Sequence, residues 1–251
     1  MLEIKDLTVK VENKIILNKF NLKLYEGQIH VIMGPNGVGK STLTKVIMND
    51  LNYKIVEGDI LYNNESIISY STYERAKKGF FLAYQNPYEI DGVTNSDFLR
   101  TALSSINDKN VNLYSFIKEL DKSVSDLKMP KSMVHRSINK GFSGGEKKKN
   151  EILQMKILKP KVVMLDEIDS GVDVDSLKIL GENIAAYHKE YKPIILIITH
   201  YTHILKYVKP DYVHIIKDGK IIKTGDYNLA KKIEDNGFDF DEVVSNEDSV
   251  K

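Results

Sequence analysis

The sequence predicts an α/β fold: a buried, largely parallel sheet with an antiparallel β subdomain at its start and an inserted helical subdomain. Three observations predict it. Short, continuously apolar runs recur at Ile29–Met33, Val162–Leu165 and Ile194–Thr199, the pattern of central strands covered on both faces. The first run feeds directly into a glycine-rich loop and then into a stretch of helical spacing. From about Asn95 to Asn139 strand signals vanish, and charged and apolar residues alternate at helical spacing instead.

Taken in order, LEIKDLTVKV and IILNKFNLKL alternate apolar and polar residues and read as antiparallel strands. Ile29–Met33 is the buried central strand, and Ser41–Leu51 the helix after the glycine-rich loop. GFFLAY at Gly79–Tyr84 reads as a further strand ending at Gln85. Turn formers then separate helical segments at Ser96–Ile106 and Leu113–Leu127, whose charged faces read as the solvated surface of a packed subdomain. Strands return at Val162–Leu165, Ile194–Thr199 and Tyr212–Ile216, and Asp218-Gly219 turns the last of these into Lys220–Thr224 as a hairpin. The tail from about Asp239 is acidic and is expected to fray. With no internal repeat or low-complexity linker, residues 1–251 form one unit: a core of about 1–94 and 140–238, a helical subdomain of about 95–139, and a tail of 239–251.

Composition excludes several classes of function. With 36 Lys+Arg against 35 Asp+Glu the net charge is +1, which supplies no electrostatic case for nucleic acid or an anionic membrane. Arginine occurs only at Arg75, Arg100 and Arg136. The absence of cysteine rules out disulfides, thiolate nucleophiles and thiolate metal ligands. The opening residues lack the apolar core of a signal peptide, and PIILIIT at Pro193–Thr199 falls far short of the ~20 residues that span a bilayer. The expectation is a cytoplasmic protein without membrane insertion; the stroma of a plastid or apicoplast is the alternative if a transit peptide precedes this numbering.

The chemistry sits at strand ends. Gly34-Pro35-Asn36-Gly37-Val38-Gly39-Lys40-Ser41-Thr42 matches G-x-x-x-x-G-K-[ST], a P-loop. Its glycines let backbone wrap phosphates, Lys40 meets the β/γ-phosphates, and the Ser41 hydroxyl suits Mg²⁺. Thr42 reaches a phosphate nearer the sugar. Asp166-Glu167 closes an apolar run: the first acid can hold Mg²⁺, the second polarise an attacking water. His200 follows its own strand in the same way, and parallel strands bring such ends to one rim, which makes it a γ-phosphate contact. Gln85 ends a strand too and could reach Mg²⁺ or the water. In GFSGGEKKKNEILQ, Gly141–Gln154, a Ser143-Gly144-Gly145 turn opens a helix and offers backbone N–H groups and a helix dipole to an anion. The tyrosines, Tyr201 and Tyr207 among them, show no spacing that marks a base-stacking platform.

P-loop, Gln85, Ser143–Gly145, Val162–Glu167, Asp169–Asp173 and His200 occur in that order, and the whole chain thereby resembles the ABC-type P-loop ATPase cassette. The resemblance implies that Gln85 is the Q-loop glutamine, Ser143–Glu146 the signature, Asp169–Asp173 the D-loop, His200 the switch histidine and Glu167 the catalytic base. FLAYQNPYEIDGVTNSDFL at Phe81–Leu99, the signature segment, LDEIDSGVDVDSLK at Leu165–Lys178 and ITHYTHIL at Ile198–Leu205 narrow it to the iron–sulfur cluster assembly ATPases of the SufC family. That resemblance implies ATP and Mg²⁺ as cofactors, an ATP-dependent homodimer, and SufB- and SufD-like scaffold partners. Some positions depart from the pattern. Glu146 stands where many cassettes carry Gln, Lys149 replaces an Arg, and Val11 lies near where many cassettes place an adenine-stacking aromatic.

The expected function is therefore Mg-ATP hydrolysis between two chains, each P-loop completed by the partner's Ser143–Gly145, with closure reshaping the scaffold. The rival readings are a nucleotide-binding subunit of a membrane transporter and an ATP-binding switch without turnover. DNA-repair ATPases of related architecture need long coiled coils, and the sequence has none.

Overall fold

The computed structural model describes residues 1–238; the acidic tail expected at 239–251 lies outside the described residues. Strands β1 (Leu2–Val11) and β2 (Lys14–Leu24) form the expected hairpin, joined through β1 by β4 (Lys54–Tyr62) and β5 (Glu65–Ser66) in an antiparallel sheet of order β2-β1-β4-β5. Alternation decides its inner face: Leu2, Ile4, Leu7, Leu22, Leu24 and Ile60 point into a shared core.

The second sheet has the order β12-β11-β3-β10-β9-β6. It comprises β3 (Ile29–Met33), β6 (Phe80–Ala83), β9 (Val162–Asp166), β10 (Ile194–Ile198), β11 (Tyr212–Lys217) and β12 (Lys220–Gly225). All pairings are parallel except the β11–β12 hairpin. Every residue of β3, β9 and β10 is buried, the reason these strands read as unbroken apolar runs. Their side chains alternate between two cores. Ile195, Ile197, Val163 and Leu165 face a helical layer, whereas Ile194, Leu196, Val162 and Met164 face the β subdomain.

Seven α-helices surround this sheet among the described residues: α1 (Lys40–Ile47), α2 (Thr72–Lys77), α3 (Asn95–Asn107), α4 (Leu113–Asp126), α5 (Gly144–Leu158), α6 (Val174–Tyr191) and α7 (Tyr227–Asn236). Helix α1 lies on the β-subdomain side through Leu43, Val46 and Ile47. It stops short of the expected Leu51, because Asn49 turns left-handed at φ 61° and Leu51 swings out into solvent. Beneath that turn sits Arg75, fully buried, with its guanidinium donating to the carbonyls of Val46, Ile47, Ile67, Ile68 and Tyr70.

Helices α3 and α4 occupy the segment expected to be helical, with Phe116, Leu120 and Val124 packed inward. A 3-10 turn at Lys131–His135 follows them. One expectation fails here: strand pairing is present at the root of the segment. β7 (Ile90–Thr94) meets β8 (Ser137–Ile138) antiparallel, pairing Ile90 with Ile138 and Thr94 with Ser137. Two residues of β8 carry no detectable period, so only the tertiary pairing reveals it. A buried amide network reinforces this root: Asn150 on α5 donates to Asn95 (2.8 Å) and Asn139 (2.9 Å), and Asn139 donates to the carbonyl of Tyr88.

Candidate functional site

The parallel strands β3, β9, β10 and β6 end on one rim, and a cleft of about 570 Å³ opens there. The P-loop crosses from β3 to α1 and forms its floor. Gly39 holds φ 105° at the N-cap of α1, and a Cβ on it would lie 2.9 Å from Leu17, so the loop needs glycine there on two counts. Asn36, Gly37, Gly39, Lys40, Ser41 and Thr42 line the cleft. Gly34, Pro35 and Val38 stand behind it: the first two lend carbonyls to Lys40, and Val38 packs on the core.

Lys40 Nζ donates to the carbonyls of Gly34 (2.9 Å) and Pro35 (2.8 Å). Burial lowers its pKa to about 8, against the opposing pull of Glu167 and Asp166. Ser41 Oγ donates to Asp166 Oδ1 at 3.0 Å, and burial raises the Asp166 carboxyl above its ordinary range. A buried carboxylate beside a hydroxyl is a hard-oxygen pair suited to Mg²⁺, which commonly takes one or two protein ligands, waters and substrate phosphates. Among the described residues no three acidic or imidazole side chains form a complete cage, so phosphate oxygens would have to finish the coordination.

Glu167, one residue past β9, turns left-handed at φ 47° with its N–H on the carbonyl of Ile198 (2.9 Å). Its carboxylate is held from two sides. Gln85 Nε2 donates to Oε2, and His200 Nε2 lies 3.1 Å from Oε1. Two side chains from two other strand ends thus converge on the Glu167 carboxylate beside the P-loop. The next loop is tied in as well, since Thr199 Oγ1 donates to Asp169 Oδ2 at 2.6 Å.

Ser143–Glu146 does not line the cleft. Ser143 caps α5: its hydroxyl accepts from Glu146 N (3.3 Å), while Glu146 Oε2 accepts from Ser143 N (2.8 Å), a reciprocal capping box that holds the Glu146 carboxyl low. Both Glu146 and the Ser143 hydroxyl therefore serve their own helix.

The sequence reading missed a second layer on α5. Lys148 is buried, and its ammonium donates to the carbonyls of Tyr84 (2.9 Å) and Gln85 (2.7 Å). Beside it, burial pushes the Glu151 carboxyl up, and Glu151 also accepts from the Tyr84 backbone. In sequence both belong to a lysine-rich run that reads as solvated surface; only their helical spacing toward the buried Ile152 and Met155 hints otherwise. Val11, Ile16 and Tyr53 also line the cleft, and of these the sequence drew attention to Val11 alone.

Known proteins resemble this chain in sequence and in fold. A family profile described as "ABC transporter" matches residues 17–170. The chain is 42% identical over 242 residues to the "Probable ATP-dependent transporter SufC" of Escherichia coli (strain K12), covering 95% of this chain and 97% of that one. It is 47% identical over 244 residues to the "Probable ATP-dependent transporter ycf16" of Pyropia yezoensis, covering 96% and 97%. Among solved structures it resembles the dimeric bacterial ABC transporter cassette MJ0796, with a TM-score of 0.78 at 18% identity over 90% of this chain and 98% of that one. At that identity the likeness speaks for the fold alone.

Proposed function

Because the chain belongs to the ABC ATPase family, in its SUF-type branch, we propose that it hydrolyses Mg-ATP as the energy-supplying subunit of iron–sulfur cluster assembly. The observation that carries this reading is the convergence of Gln85 and His200 on Glu167, beside Lys40 and the Ser41–Asp166 pair.

Each residue has a task that follows from its position. Lys40, now occupied by loop carbonyls, exchanges them for phosphate oxygens when nucleotide enters. Ser41 and Asp166, with Gln85 nearby, would hold Mg²⁺, which would supply charge neutralisation for the transferring phosphoryl group. Glu167 accepts a proton from water as its oxygen bonds to the γ-phosphorus and the bond to the ADP oxygen breaks. His200 keeps the Glu167 carboxylate aimed and meets charge on the γ-phosphoryl oxygens. Ser143–Gly145 does not line its own cleft, so in this reading a second copy brings the N–H groups at the start of α5 to the nucleotide. ATP thereby acts as a ligand that favours the closed pair, and hydrolysis reopens it.

With no cysteine the chain supplies no thiolate for a cluster, and SufB- and SufD-like partners would hold it. Among the described residues no helix is long and apolar enough to cross a membrane, and we assign the chain to the cytoplasm. The word "transporter" in its relatives' names keeps a second reading in view, in which the partner is a membrane permease. Isolation of the native complex separates the two by whether soluble scaffolds or permeases accompany the chain.

The direct test is Glu167→Gln. ATP binding should persist, while phosphate release falls by about a hundredfold or more, the scale of a lost general base. Phosphate release near the wild-type rate from this variant would remove the role given to Glu167.

A further inference from the structure

We propose that Glu234, on helix α7, is a positioning residue for hydrolysis: it braces the loop that carries His200 and so fixes where the imidazole meets Glu167. The inference rests on the ATPase reading and adds to it a residue from outside the cleft.

His200 lies in the short irregular stretch between β10, which ends at Ile198, and a 3-10 turn at Ile204–Lys206. Such a stretch has neither ladder nor helix to pair its backbone, so other groups must do it. On the near side Thr199 does. Its N–H bonds the carbonyl of Ile32 (3.3 Å), and its hydroxyl accepts from Tyr201 N (3.0 Å) while donating to Asp169 (2.6 Å). On the far side Thr202 does, with a partner 32 residues away on α7. Thr202 is only 1% exposed; its N–H donates to Glu234 Oε1 (3.2 Å) and its hydroxyl donates to Glu234 Oε2. Only His200 and Tyr201 lie between the two braces.

Both oxygens of one carboxylate are engaged, which sets the orientation of the loop as well as its distance from α7. The anchor itself is firm. Leu229, Ala230 and Ile233 of α7 pack into the same core as Ile204 and Leu205, and Asp226 caps the helix by accepting from Asn228 N. Thr202 passes the constraint onward through its carbonyl, which accepts from Leu205 N (2.9 Å). The two partners do not depend on each other equally. Glu234 is exposed, so water can replace Thr202 on its carboxylate; the buried Thr202 donors would be left unpaired without Glu234. The contact therefore serves the loop more than the helix. His200 Nε2 lies 3.1 Å from Glu167 Oε1, and small misplacements of such groups cost rate out of proportion to their size. Glu234 does not line the cleft, so its influence should fall on turnover and spare ATP binding.

The test is phosphate release from labelled ATP, a readout sensitive enough for slow variants. Glu234→Ala should lower kcat about tenfold and leave KM within about twofold of wild type. Glu234→Gln keeps an oxygen for the Thr202 N–H and an amide for its hydroxyl, and should restore most of the rate. Thr202→Val, close in shape but without the hydroxyl, should show a smaller loss of the same kind. The decisive comparison is made in a His200→Ala background. There Glu234→Ala should lower kcat no further, because a brace that acts through His200 has nothing left to position. An equal loss in both backgrounds, a loss confined to KM, or wild-type kcat in both Glu234→Ala and Thr202→Val would each overturn the assignment. Should the alanine chain fail to fold, the same comparison with Thr202→Val decides. A wild-type chain that releases no phosphate, or a His200→Ala chain that releases it as fast as wild type, would instead strike down the reading of the catalytic site, and the brace with it.

Discussion

Arg75 shows how a single charged residue can be a structural requirement. Its guanidinium, fully buried, satisfies carbonyls at the end of α1 and before α2, so no acid is needed near it. Burial lowers its pKa to about 10, leaving it charged at neutral pH. Arg75→Met would leave several carbonyls without donors and should cost about 3 kcal/mol or more, read from the midpoint of urea unfolding. Arg75→Lys should recover only part, since one ammonium cannot span carbonyls that a planar fork reaches together. The functional side chains behave differently. In the proposed reaction Lys40 and Ser41 would exchange their present partners for phosphate and Mg²⁺, whereas Glu167 would stay held by Gln85 and His200.

At the scale of elements, α5 connects the rest. Its first turn carries the signature, its second grips the Gln85 loop through Lys148 and Glu151, and Asn150 holds the root of the helical insert. One helix thus ties the root of the insert to the backbone that carries Gln85. Glu151 gives this linkage a pH dependence. Burial raises its carboxyl in the folded chain, which therefore keeps a proton that the unfolded chain releases above the ordinary glutamate range. Stability of the wild type should fall as pH rises through that window. Glu151→Gln mimics the protonated form and removes the slope, so its advantage in melting temperature should grow between about pH 5 and pH 8. A difference constant with pH would show that Glu151 is ionised in the folded chain.

Across the whole molecule, Ser143–Gly145 is absent from the lining of the P-loop cleft, and in the proposed dimer a neighbour's copy would complete that cleft. A side chain at Gly145 tests this without disturbing the monomer. Its Cβ would meet Ser176 and Asp173 at 3.7–3.9 Å, ordinary contact distances, and the site has no positive φ. Gly145→Val should melt like wild type yet obstruct the approach of a neighbour's phosphates. In a Glu167→Gln background, ATP should shift the 28.6 kDa chain to twice its mass by light scattering, and adding Gly145→Val should abolish the shift. A dimer that survives the valine would place the contact elsewhere.

What the sequence determined by itself is what local physics encodes. Continuous apolar runs announced β3, β9 and β10, glycines and a lysine at fixed spacing announced the P-loop, and the Ser143-Gly144-Gly145 turn announced the start of α5. The positions of Asp166, Glu167 and His200 at strand ends were legible for the same reason, since parallel strands share a rim. Tertiary structure alone decided the contacts. Gln85 meets Glu167 across 82 residues, and Lys148 reaches the Gln85 backbone across 63. Such meetings depend on sheet order and helix packing rather than on any nearby period. The lysines of α5 looked like solvent-facing charge until packing buried Lys148 against the loop whose Gln85 holds Glu167.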